Sequence, residues 1–227
     1  MRYACALAAV TVLAGSAVTA GSGREADVRL ALTLTASISK SWTYSSTRTE
    51  ENCRVRTRGS GERTITLRSH RPTIVTARGV GSRIVFRPSA VRFLGGVVTE
   101  GGSKTEYASC DGKITAFDCV RFRREFAGKA ARFSSPRSGV LRFAPLVGLP
   151  RANQPTCPGE PANVRKEEPG LRSAPGRLRE EILLDPRFKR FVSTGNLTRT
   201  RRFGGTSVAT VRQRVHWALT FARAPRR

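Results

Sequence analysis

The sequence contains few of the residues that catalytic and metal sites need. It has two histidines, His70 and His216, and 16 acidic residues against 41 basic ones. A hydrolase needs a nucleophile, a base and an orienting group. There is no G-x-S-x-G elbow, P-loop, Rossmann glycine fingerprint or EF-hand loop, and no two cysteines are spaced as C-x-x-C. We therefore predict no catalytic residues, no metal site and no cofactor, and we interpret both histidines as surface residues.

One short match to a catalytic motif occurs at residues 37–40. Ser37-Ile38-Ser39-Lys40 fits the S-x-x-K pattern of serine acyltransferases of the penicillin-binding type. Those enzymes place the motif at a helix start and also need a K-T-G strand. Here the surrounding residues alternate as in a strand, and Lys104-Thr105 is followed by Glu106. The match is therefore interpreted as coincidental.

Long apolar runs are also absent after the first twenty residues. Met1-Arg2 gives a positive start, Ala4 to Val18 is uncharged and largely apolar, and Val18-Thr19-Ala20 has the small-x-small pattern of a cleavage site. This arrangement predicts a secretory signal peptide over residues 1–20, too short to span a bilayer. We expect a secreted, extracytoplasmic protein, soluble and without a transmembrane segment once the signal is removed.

Four cysteines remain after signal removal: Cys53, Cys110, Cys119 and Cys157. An even number in an exported chain predicts two disulfides. We favour Cys53–Cys110 with Cys119–Cys157, because the Asp111-Gly112 turn signal would place Cys110 opposite Lys113 in a tight hairpin. Cys110–Cys119 with Cys53–Cys157 is the open alternative and needs a wider loop.

Most of the chain alternates apolar and polar residues with a period of two, which is typical of half-buried strands. Val28 to Thr35 and Ile38 to Thr49 both show the pattern, and the second run predicts Trp42 as a core or edge anchor. Glycine or proline interrupts such runs every 8–12 residues, which favours a sandwich or barrel. We predict an all-β fold: an antiparallel sandwich or barrel-like single domain over residues 21–227.

Phenylalanine and arginine are paired along the sequence. Seven of the eleven phenylalanines directly follow an arginine. Neighbouring residues of a strand point to opposite faces, so the pattern predicts phenylalanine in the core and arginine in solvent. The phenylalanines in these pairs are Phe93, Phe122, Phe133, Phe143, Phe188, Phe191 and Phe203.

The last third of the chain begins with a change in composition. Residues 145–177 contain seven of the twelve prolines and show no periodicity, which predicts a long Pro-rich loop. Leu178 to Leu184 predicts at most one short helix. The clearest strand follows, with Val211, Val215, Trp217, Leu219 and Phe221 on one side. The C-terminal hairpin is too small to bury a core alone, so we predict that its last strand lies beside the strand that begins at Val28.

The formal net charge of +25 predicts polyanionic partners. Arg54, Arg56 and Arg58 would form a basic stripe on the solvent face of one strand, and Arg212 and Arg214 would do so on another. Since the aromatic residues alternate inward, we expect non-specific attraction to polymer phosphate or backbone groups instead of base stacking.

We therefore expect an exported, non-enzymatic β-sandwich protein that binds anionic cell-surface or wall polymer, polysaccharide or nucleic acid through these arginines. One alternative is a secreted hydrolase whose site lies near the Pro-rich loop and depends on His70 or His216. Another is a purely structural or partner-binding domain. Its charge would then be a by-product of a GC-rich genome, which favours arginine over lysine but does not explain the shortage of carboxylates.

Overall fold

The computed structural model describes residues 27–81, 83–119, 121–150 and 160–225. The predicted signal peptide, residues 1–20, and Cys157 lie outside these described residues. The chain forms a single all-β domain, which confirms the predicted fold class. Its antiparallel strands belong to one curled sheet, a half-barrel, so the barrel-like alternative is the one adopted.

In the described ranges the sheet has eleven strands, eight of which follow the order β10-β11-β1-β2-β5-β7-β8-β9. In addition, β3 pairs with β1 and β4, and β6 pairs with β5. The strands are β1 (Val28–Glu50), β2 (Cys53–Ser69), β3 (Thr73–Val80), β4 (Arg83–Arg87), β5 (Ala90–Ala108), β6 (Ile114–Asp118), β7 (Phe122–Ser134), β8 (Val140–Phe143), β9 (Gly176–Arg177), β10 (Arg190–Phe203) and β11 (Ser207–Arg223).

The described part of the chain contains two short α-helices, α1 (Ala162–Lys166) and α2 (Glu180–Leu184), where at most one was predicted. The second is the helix expected between Leu178 and Leu184. The first lies inside the Pro-rich segment, together with a 3-10 turn at Leu171–Ser173 and the two-residue strand β9. Isolated helices this short are unstable in water, so α1 depends on packing that periodicity does not reveal. No helix in the described ranges is long and apolar enough to span a membrane.

The central strand β1 separates the core from the solvent face. Its inward residues from Val28 to Tyr44 are all buried, including Trp42, the predicted anchor. β1 pairs with β11 from Leu30↔Arg223 to Ser46↔Ser207, which confirms that the first and last strands are neighbours. On its other side, β1 pairs with β3 over Val28 to Leu32 and with β2 over Thr35 to Glu50.

The Arg-Phe pairs confirm the predicted alternation. All seven arginines are exposed, whereas each following phenylalanine is buried or half-buried. Phe133 and Phe143 contact each other edge to face, with ring centroids 6.2 Å apart. Phe143 in turn contacts Trp217 edge to face at 4.9 Å, so these pairs join β7, β8 and β11 across the core.

Two inward glycines of β2 leave space for aromatic rings from β1. A Cβ atom at Gly61 would lie 2.3 Å from Cζ2 of Trp42, and one at Gly59 would lie 2.3 Å from Cε1 of Tyr44. The rings therefore lie directly over backbone that carries no side chain. This close approach lets β1 bury two large aromatic side chains against the backbone of β2.

We predict that Gly61→Ala lowers the free energy of unfolding by about 1–3 kcal/mol, because the added methyl group overpacks the Trp42 ring. Urea unfolding would measure the change. Gly204→Ala is the matched control, since a Cβ there has no atom within 4 Å. Equal stability of the two variants would contradict the described packing.

The disulfide Cys53–Cys110 joins the start of β2 to the end of β5, as favoured from the sequence. The backbone supports the same junction, since the Ser109 N–H donates to the Arg54 carbonyl at 3.1 Å. Cys119 is also disulfide-bonded. Its predicted partner, Cys157, is outside the described residues, so that pairing stays a prediction.

Replacing Cys53 and Cys110 together with alanine should lower the free energy of unfolding by about 4 kcal/mol. The value follows from the chain entropy of a loop closed over a separation of 57 residues. Denaturant unfolding of the oxidised protein would measure it. A loss under about 1 kcal/mol would show that the bond constrains the unfolded chain little.

Candidate polyanion-binding surface

The outward face of β1 carries a continuous row of hydroxyl side chains. Alternation along the strand places nine consecutive serines and threonines on this face, with no bulky residue between them. We call this row the hydroxyl track. It consists of Thr33, Thr35, Ser37, Ser39, Ser41, Thr43, Ser45, Thr47 and Thr49.

The three predicted arginines of β2 lie along one side of the hydroxyl track. Arg54, Arg56 and Arg58 are exposed and point outward, as the period of two required. In the β1–β2 register they lie opposite Thr49, Thr47 and Ser45, respectively. The predicted basic stripe is therefore present on the outward face of β2, next to the turn that joins β1 and β2.

Arg212 and Arg214 lie on the other side of the track, in β11, and are also exposed. They face Ser41 and Ser39 of β1. The partners of Arg58 and Arg212, Ser45 and Ser41, are four residue steps apart along β1, or about 13 Å, and β2 and β11 are about 10 Å apart. The five arginines thus share one face and flank one track, but they do not form a single cluster.

Few carboxylates lie near the five arginines on the outward face of β1, β2 and β11. In β1, β2 and β11, which the structure describes completely, Glu62 is the one outward-facing carboxylate. None of the five guanidinium groups makes an ion pair or hydrogen bond with another described residue. The outward-facing cations of these strands are Arg29, Arg54, Arg56, Arg58, Arg68, Arg212 and Arg214.

An open depression of about 430 Å³ lies across four strands of this face. It contains part of the hydroxyl track together with one arginine of β2, and two of its hydroxyl groups, on Ser60 and Ser103, are 3.4 Å apart. The side chains that line it include Thr43, Ser45, Arg58, Ser60, Ser103 and Thr210. The Arg58 guanidinium and several hydroxyl groups therefore meet at one place on the outward face.

Both histidines are exposed, and they lie on different strands or loops of the sheet. His216 is exposed on the outward face of β11, with Nδ1 2.5 Å from Oδ1 of Asn196. His70 is exposed beside Gly95, at a separate surface depression that also includes Arg68 and Glu125. The described residues contain no group of three or more His, Cys, Asp or Glu side chains that could hold a metal ion.

Sequence reasoning missed a charged layer on the inward face of the same strands. Lys40 pairs with Gln213 of β11 and with Arg63 of β2, and Arg63 pairs with Glu100 of β5. These four neighbouring positions therefore place polar side chains on the concave side of the sheet. Arg63 donates to Glu100 at 2.8 Å. Lys40 belongs to the S-x-x-K match, but Ser37 and Ser39 point to the opposite face, so the motif does not assemble.

The segment around α1 covers this charged layer. Lys40 Nζ donates to the Val164 carbonyl at 2.9 Å and lies 4.7 Å from the ring centroid of Trp42. Glu167 accepts a hydrogen bond from Gln213 at 3.0 Å and forms an ion pair with Arg201. These contacts, and not hydrophobic periodicity, position α1 on the sheet.

Two buried side chains of opposite charge, Lys40 and Glu160, influence each other's pKa. Burial lowers the pKa of Lys40, and the nearby carboxylates of Glu168, Glu160 and Glu100 oppose that effect. Burial likewise raises the pKa of Glu160, and the Lys40 ammonium opposes it. Each charge therefore reduces the cost of burying the other.

We predict that Lys40→Met destabilises the fold by about 3 kcal/mol at pH 7, because it leaves the Glu160 carboxylate buried without its cation. Adding Glu160→Gln should restore most of the loss, and urea unfolding of the double-mutant cycle measures the coupling. Lys189→Met, at an exposed lysine, is the control.

The loss should also depend on pH in a defined direction. A carboxyl whose folded pKa is raised favours the folded state at low pH and loses that contribution as the pH rises through the folded value. The Lys40→Met deficit should therefore shrink as the pH falls through the folded pKa of Glu160, which lies above the ordinary value of 4.5 for glutamate. A deficit of the same size at pH 4 and pH 7, or a double variant no more stable than Lys40→Met, would contradict the coupling.

No protein-family model, curated protein or solved structure matches this chain. The fold and the surface define it as an all-β half-barrel with a basic, hydroxyl-rich outward face.

Proposed function

We propose that the mature chain is an exported, non-enzymatic protein that binds an anionic polymer of the cell surface or wall through the outward face of β1, β2 and β11. The observation that carries this proposal is the placement of five unpaired arginines on the two sides of the hydroxyl track. Export is proposed from the predicted signal peptide, and the disulfide Cys53–Cys110 is compatible with it.

The dimensions of the surface favour a linear polymer over a small ligand. The track extends from Thr33 to Thr49, which corresponds to about 50 Å of extended strand. Guanidinium groups donate in a fork that matches phosphate and carboxylate, and hydroxyl groups both donate and accept. Repeated anionic units could therefore contact the arginines while sugar or glycerol hydroxyls meet the track.

The aromatic residues support backbone attraction over base recognition. Trp42 and Tyr44 are buried on the inward face, so they offer no stacking surface. Tyr107 is an outward exception, 40% exposed and opposite Arg56. A single ring does not provide the successive stacking positions typical of single-strand readers.

The test is the salt dependence of binding by the oxidised, mature protein. Changing Arg54, Arg56 and Arg58 together to glutamine should weaken binding to a glycerol-phosphate polymer and to duplex DNA. For DNA, the slope of log affinity against log salt should decrease by up to about 0.9 per lost phosphate contact. Fluorescence anisotropy across a salt series measures both quantities.

A matched triple variant, Arg83→Gln with Arg87→Gln and Arg137→Gln, removes the same charge from exposed positions outside this face. It should retain most of the affinity. If both variants lose affinity equally, the attraction comes from net charge, and the proposed surface is wrong. Unchanged binding by the first variant would also overturn it.

A further inference from the structure

A second cavity, of about 500 Å³, lies on the concave side of the sheet, away from the polyanion-binding surface. Its floor is formed by Ile38 of β1 and Ile65 of β2, which lie opposite each other in the register. The residues after β8, at 145–149, and those around the 3-10 turn, at 168–172, form its walls. Its volume falls within the range of small-molecule sites.

The lining of this concave cavity is mostly aliphatic. Ile38 and Ile65 are buried, and Leu146 and Leu149 are half-buried against the main core. Val147, at the edge of the cavity, is 81% exposed, so an apolar side chain stands in solvent at the entrance. Such walls suit a hydrocarbon chain.

One cation lies in the deeper part of the cavity. Arg63 is 7% exposed, whereas Glu168 and Arg172 on the opposite wall are exposed. The Arg63 guanidinium is fixed by Glu100 and by the Pro150 carbonyl, at 2.8 and 3.2 Å, and its Nε–H has no hydrogen-bond partner among the described residues. Lys40, its neighbour in the β1–β2 register, donates to the Val164 carbonyl and is not part of the cavity lining.

We propose that the concave cavity binds a single-chain aliphatic carboxylic acid. The hydrocarbon chain lies against Ile38, Ile65 and Leu149, and the carboxylate accepts a hydrogen bond from the Arg63 Nε–H. Glu100 is already bonded to Arg63, and Glu168 is exposed on the opposite wall beside Arg172. A quaternary ammonium head group has no acceptor for the Arg63 donor and carries a like charge, so it is disfavoured. This site is independent of the polyanion-binding surface, and either proposal can fail without the other.

The proposal is tested by calorimetric titration of the oxidised mature protein with dodecanoate, below its micelle concentration and in 0.3 M salt. We expect saturable binding of about one molecule per chain. Across octanoate, decanoate and dodecanoate, affinity should rise by about fourfold per methylene, as expected for burial of each group. Dodecyltrimethylammonium, with the same chain and the opposite charge, should bind at least tenfold more weakly.

Leu149→Trp should fill the cavity and lower dodecanoate affinity at least tenfold, while Val85→Trp, on β4, should leave it unchanged. The Arg54, Arg56 and Arg58 glutamine triple variant should also bind dodecanoate normally, since those arginines are on the other face. Weak, non-saturating binding, equal binding of the cationic analogue, or loss of binding only in the arginine triple variant would overturn the proposal. If Leu149→Trp fails to fold, the chain-length series and the cationic analogue decide the matter with the unmodified protein.

Discussion

The strict alternation of side chains along β1 is the constraint on which the rest of the structure depends. This strand pairs over most of its length with β11 on one side and with β2 and β3 on the other. Because strand side chains repeat with a period of two, a shift of one residue would expose Leu32 and Leu34 and bury the hydroxyl track. The core and the solvent face are therefore fixed by the same register.

The inward face of the strand divides the half-barrel into two parts. From Val28 to Ile38 the inward residues are apolar and belong to the main core. At Lys40 the layer becomes charged, and beyond it Trp42 and Tyr44 pack with Val164 in a second, smaller cluster. The Pro-rich segment is needed at this transition because it supplies the carbonyl and carboxylate groups that accept from Lys40, Arg201 and Gln213.

Much of this arrangement could be predicted from local pattern. Alternation predicted the all-β class and the exposure of Arg54 to Arg58, and the size of the C-terminal hairpin predicted its pairing with the first strand. The turn at Asp111-Gly112 favoured the Cys53–Cys110 bond. Each of these inferences rests on period, length or turn chemistry, which are properties of short stretches of chain.

The features that were missed depend on long-range contacts. The apolar alternation indicated two separate runs, Val28 to Thr35 and Ile38 to Thr49, whereas β1 is continuous and Lys40 has the inward parity of Ile38 and Trp42. A period of two that continues through residue 40 predicts that the Lys40 side chain points inward and is buried. The position of α1 carries no such signal, because a helix of five residues is held by tertiary contacts. The offset between the arginines of β2 and β11 depends on a register that no local pattern specifies.

The most direct measurement is residue-resolved protection of arginine side chains from a guanidinium-specific reagent, read by mass spectrometry with and without a glycerol-phosphate polymer. We expect Arg54, Arg56, Arg58, Arg212 and Arg214 to be protected together, while Arg83 and Arg87 on β4 react as in the free protein. Uniform protection of all these arginines, or protection confined to β4, would contradict the assignment of the outward face of β1, β2 and β11 as the binding surface.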